Sequence, residues 1–142
     1  MRELSVEEAN ALLPELHRIV SAQLRLQDDV AGELATLHAL LGEFPSNLSV
    51  REGDGDEVRA SKRRVQELLR ALEEGWSRVA ELGGLVKDPQ AGLVDFPGRV
   101  DGEPVLLCWR FGEESIDHYH GHDEGFRGRR PLPNVARQRM FN

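Results

Sequence analysis

The sequence predicts an α+β fold, a long antiparallel helical hairpin packed with a small three-stranded antiparallel β-sheet. Three observations carry that expectation. Two long stretches repeat apolar residues at steps of three and four, the helical period. A glycine-rich, acidic connector separates them. The last third of the chain changes to short segments around an Asp-Gly pair, a sheet signal.

Taken in order, the elements fill a single domain, 1–142. Helix one covers 5–42. Ser5 and Glu8 make an S-x-x-E capping box at its start, in which side chain and backbone satisfy each other's free donors. Its stripe runs Leu12, Leu16, Ile19, Gln23, Leu26, Val30, Leu34, Leu37, Leu41. Pro14 lacks an amide donor, so a kink or a fresh helix start is expected there, with Leu12 and Leu13 in a preceding short turn. The connector, 43–56, is expected to be mobile. Helix two covers 57–83, with Val58, Val65, Leu68, Leu69, Leu72, Trp76, Val79 and Leu82 as its stripe and Glu74–Arg78 as a supporting i,i+4 pair. Gly83-Gly84 ends it. A β-meander over 85–122 follows. Its strands are "AGLVDFPGRV", "EPVLLCWRF" and "ESIDHYH", the first two joined by Asp101-Gly102, a type I′ hairpin signal. An arginine-rich segment, 123–142, completes the chain.

Composition narrows the function classes. The net charge of −7 argues against nucleic acid, whose binders need surplus cations to displace counterions. No apolar run approaches the ~18 residues a membrane span needs. The start has no apolar signal-peptide core, and one cysteine, Cys108, allows no intrachain disulfide. The expected location is therefore the cytoplasm. From Phe126 onward there are five arginines and no acids. Such a tail is expected to fold onto the acidic helices. The stripes of the long helices are more than one small sheet needs to cover, so a homodimer is expected; a separate protein partner stays open.

The chemistry gathers in "SIDHYHGHDEGFRGRRPLP", Ser115 to Pro133. His118 and His120 share a strand face, so they can chelate one ion. His120 and Asp123 can do the same if the strand turns at Gly121. Glu113 lies across the connecting turn, and Asp95 on the first hairpin strand offers a fourth ligand. Imidazole and carboxylate together suit Zn, Ni, Co or Fe. An exposed edge strand with histidines needs no ion, and Asp123 then only caps a turn. Arg129 and Arg130, beside glycines that permit close backbone approach, form a candidate anion site. The alternative is that Arg129 pairs inside the chain with Asp95 or Asp88 while Phe126 plugs the core. Cys108 lies in mid-strand, where a buried thiol is ordinarily inert, but on the less apolar face, which leaves it some access. His17 and His38 read as solvent-facing.

"EANALLPEL", "VKDPQAGLVDFP", "LLCWRFGE" and "GFRGRRPL" resemble a bacterial family of uncharacterised proteins, domain-of-unknown-function family 2203. The likeness covers nearly the whole chain and is most specific from Gly92 to Pro131. The family pattern has Trp-His where this chain has Tyr119-His120, so His120 is the matching histidine, and His118 and His122 are additions of this sequence. The resemblance implies a compact cytoplasmic domain whose shared polar residues crowd the sheet end; it implies no activity.

The function expected is a small cytoplasmic binding protein, not an enzyme, holding a divalent transition metal at the sheet end through His120, Asp123, Glu113 and His118. Two alternatives compete. One is a protein-interaction or assembly module acting through the helical hairpin; the other is a metal-dependent hydrolase.

Overall fold

The computed structural model describes residues 2–134. It is α+β, with helices and one antiparallel sheet. Two compact units divide the chain: Met1–Ser21 with Ser77–Asn142, and Ala22–Trp76. Among the described residues, the α-helices include α1 Val6–Ala11, α2 Leu13–Leu41 and α3 Asp56–Glu81. The strands are β1 Leu85–Asp88, β2 Leu93–Val100, β3 Glu103–Arg110, β4 His118–His120 and β5 Arg130–Pro131, in the order β1-β2-β3-β4-β5.

In the first unit, the capping box is complete. Ser5 Oγ accepts from Glu8 N and Glu8 Oε1 accepts from Ser5 N, both at 3.0 Å. The fresh helix start expected at Pro14 is present: α1 ends at Ala11, Leu12 is the break, and α2 begins at Leu13, inside the helix and not in the turn, so that Pro14 falls in its first turn, where a missing amide donor costs nothing. At the end of α3, Gly84 N bonds Val79 O and Gly83 N bonds Ala80 O, with Gly83 at φ 97°. This is the paired closure that lets a left-handed glycine stop a helix. Arg78 pairs with Glu15, not with the expected Glu74.

The sheet has five strands where three were expected. β1 and β5 hold four and two residues, too few to show a period. The third expected strand shrinks to His118–His120, because Ile116 N donates to Asn10 Oδ1 and Asp117 O accepts from Leu132 N. The central hairpin is as expected: Asp101 and Gly102 both take positive φ, 52° and 81°, as a type I′ turn demands. One face of this hairpin carries Val94, Phe96, Leu107 and Trp109, each 0% exposed. The other carries Asp95, Leu106 and Cys108, which are just as buried. Both faces of the central pair are therefore dry, and one of them is polar.

The second unit is an antiparallel helix pair. Gln23 Nε2 donates to Leu72 O at 2.7 Å, and Ser61 Oγ to Glu33 Oε1 at 2.8 Å, so early α2 faces late α3. The connector is hydrogen-bonded to α3. Lys62 Nζ donates to Ser49 O and Asp54 Oδ2, and Gln66 Nε2 donates to Leu48 O. Leu40, Leu41, Phe44 and Leu69 stay exposed.

Candidate functional site

Strand register builds the site. Counting outward from the Asp101-Gly102 turn, Val100 faces Glu103 and Asp95 faces Cys108. On the far side of β3, Cys108 faces His118 and Leu106 faces His120. Side chains of one strand alternate between faces and directly paired residues share a face. Asp95, Cys108 and His118 therefore form one row across three strands, with His120 in the next row on the same face. The long imidazole of His120 crosses above β3 and meets Asp95.

Asp95, Cys108 and His120 bring a carboxylate oxygen, a sulfur and a ring nitrogen within 4.8 Å of one another. Asp95 and Cys108 are 0% exposed and His120 2%. His120 Nδ1 lies 2.8 Å from Gly121 O, and Nε2 lies 2.9 Å from Asp95 Oδ2. A carbonyl can only accept, so Nδ1 carries a hydrogen. One further proton must then sit between Nε2 and Asp95, because two lone pairs do not bond. Asp95 Oδ1 is buried and makes no hydrogen bond among the described residues. Burial raises the Asp95 carboxyl above its usual range, against the offsetting influence of His120, Cys108 and Lys87. Burial also pushes the Cys108 thiol up to about 12, with the Asp95 charge adding to the rise. The expected access to Cys108 is overturned: its face is less apolar but fully covered.

The other residues singled out by sequence stand in an outer group. Glu113 Oε1 accepts from Arg110 N at 2.7 Å and from Arg129 Nη1 at 3.0 Å, and Glu113 Oε2 takes Arg129 Nη2 at 3.0 Å. That carboxylate is engaged by a bidentate arginine, the strongest form of such a pair. His118 Nδ1 is 4.0 Å from Glu113 Oε2. Arg129 lies 4.2 Å from the Phe126 ring centre. Burial opposes its charge, but the Glu113 bonds win and raise its pKa. Arg130 pairs with Glu124 at 3.0 Å and lies over Tyr119. Both candidate anion-binding arginines thus meet acids of their own chain, though neither acid is Asp95 or Asp88 and neither lies on a helix. Arg137 and Arg139 fall outside the described residues.

Asp123 is not brought to His120, whose two nitrogens are taken by Gly121 and Asp95; it stands exposed in the turn. Glu124, not Asp123, closes that turn by accepting from Gly121 N at 2.8 Å. A Cβ at Gly121 or Gly128 would come to 3.0 Å from the Glu124 carboxylate, whereas one at Gly125 would meet nothing within 4 Å. His17 and His38 are exposed, His17 stacked on Phe111.

These features define an α+β domain with a buried carboxylate–thiol–imidazole cluster on one face of its sheet. The family model described as "Uncharacterized conserved protein (DUF2203)" matches residues 2–132, and the chain belongs to that family. Comparisons with curated proteins and with solved structures gave no match. No helix among the described residues is long and apolar enough to cross a membrane.

Proposed function

We propose that this protein is a metal-binding module that holds one divalent transition ion through Asp95, Cys108 and His120. The observation that carries the reading is the convergence of three ligand types within 4.8 Å in a dry interior. His120 pairs with Asp95 Oδ2, but Asp95 Oδ1 makes no hydrogen bond among the described residues, and a buried polar atom ordinarily has a partner. The His120 geometry supports it further. A metal-ligating histidine commonly donates its second ring N–H to a backbone carbonyl, as Nδ1 does to Gly121. Nε2 is thereby aimed at the cluster.

Charge points the same way. Without an ion the cluster is neutral when it keeps two protons, one on the thiol and one between Asp95 and His120. A divalent ion replaces both and the cluster stays neutral, so no net charge is added to the interior. Mixed sulfur, nitrogen and oxygen ligands suit Zn, with Co, Ni and Fe as alternatives. Burial of all three ligands favours a held ion over one that turns over substrate.

Plasma mass spectrometry on untagged protein tests this, with wild type beside His120→Ala and Asp123→Ala. The expected result is near-stoichiometric metal in wild type and Asp123→Ala and loss in His120→Ala, with helical circular dichroism retained. Metal that persists in His120→Ala, or none in wild type even after titration, would contradict it. A second reading, an assembly module, rests on exposed Leu40, Leu41, Phe44 and Leu69 in the helix pair. Sedimentation of Leu41→Lys beside wild type tests that one; it requires wild type to associate and the variant not to.

A further inference from the structure

The sheet face that holds the inner cluster carries a second group of ligand type beside it. His118 sits directly opposite Cys108 in the ladder, and its Nδ1 is 4.0 Å from Glu113 Oε2. His118 and Glu113 keep 16% and 26% of their side-chain surface in solvent, whereas the inner three are sealed. A cation already sits against this pair. The Arg129 guanidinium binds both Glu113 oxygens and rests on Phe126.

Resting on the metal reading above, we propose that Glu113 and His118 form an outer cation site through which the ion reaches Asp95, Cys108 and His120. Arg129 is the resident cation that the ion displaces. In the filled inner site, Arg129 returns to Glu113 and closes the face. The step from His118 to Cys108 is one cross-strand spacing, about 5 Å. Glu113 and His118 keep contact with solvent, which the sealed cluster lacks. The ion that passes is a free divalent metal, and the two displaced protons leave to water.

A group that holds the ion only in transit alters the rates of uptake and release by one common factor and leaves affinity alone. The test is stopped-flow uptake of Co²⁺ by the full chain, followed through its thiolate absorption, with release measured by chelator chase. Against wild type, His118→Ala is expected to slow uptake and release alike by about tenfold, with final stoichiometry and affinity unchanged. Arg129→Gln is expected to speed both. Uptake by His118→Ala at the wild-type rate would overturn the proposal, and so would a loss of affinity, which would make His118 an inner ligand. An unchanged rate in Arg129→Gln would also count against it. Failure of the metal reading is distinguishable, because wild type would then develop no cobalt absorption at the endpoint.

Discussion

The inner and outer groups on this sheet face use similar residue types in opposite ways. Outside, Glu113, Arg129, Glu124 and Arg130 form ion pairs at 3.0 Å, and each charge has an opposite partner. Inside, Asp95, Cys108 and His120 face each other with one carboxylate oxygen unbonded. A satisfied pair at the rim holds a turn in place. An unsatisfied polar group in a dry interior is costly, and that cost is the reason to look for a ligand there. Residue type alone does not separate the two groups; burial and partners do.

The largest effect expected on this contrast is the pH dependence of metal binding. The ion displaces two protons, and both acids hold theirs more tightly than usual, Asp95 and Cys108 each being raised by burial. Affinity should therefore fall as pH falls, by about 100-fold per pH unit near neutrality. Competition with a chromophoric chelator between about pH 6 and about pH 8 measures it. A slope of zero would mean that the ion sits elsewhere, for instance on the outer carboxylates.

A smaller effect concerns the metal-free protein in alkali. The Cys108 thiol is raised from 9.0 to about 12 in the folded chain, so above pH 9 the unfolded chain releases a proton that the folded chain keeps. Stability then falls as pH rises through that window. Between about pH 8 and about pH 10.5 the wild type should lose about 2 kcal/mol more than Cys108→Ala loses. Urea unfolding of both proteins gives the difference. Equal losses would show that the thiol is not sealed.

Much of the fold was legible, and the reasons are local. Ser5-x-x-Glu8, Asp101-Gly102 and Gly83-Gly84 each specify a backbone geometry by themselves. β1 and β5 escaped because four and two residues carry no period. The site was legible in part. His120 and Asp95 are ligand types on strands, and Glu113, His118 and Asp123 stand close to His120 in sequence. Proximity along the chain favours the rim, where a turn exposes its residues. Cys108 does not stand out as a ligand in the sequence, because a thiol in an apolar strand is usually inert. The signal that finds it is register. Once the type I′ turn is fixed, counting outward sets Asp95 against Cys108, and a carboxylate facing a thiol in mid-sheet is not packing. The Glu113–Arg129 pair was out of reach, since it depends on how the turn 121–129 folds back.

The inner ligand set is tested most directly by cobalt substitution. Wild type and Cys108→Ser, both freed of metal, are titrated with Co²⁺ and their absorption spectra recorded. The expected result is a thiolate-to-cobalt charge-transfer band and tetrahedral visible bands in wild type, with the charge-transfer band absent in Cys108→Ser. A wild-type spectrum lacking that band, or an identical band in Cys108→Ser, would show that the buried cluster is not where the metal binds.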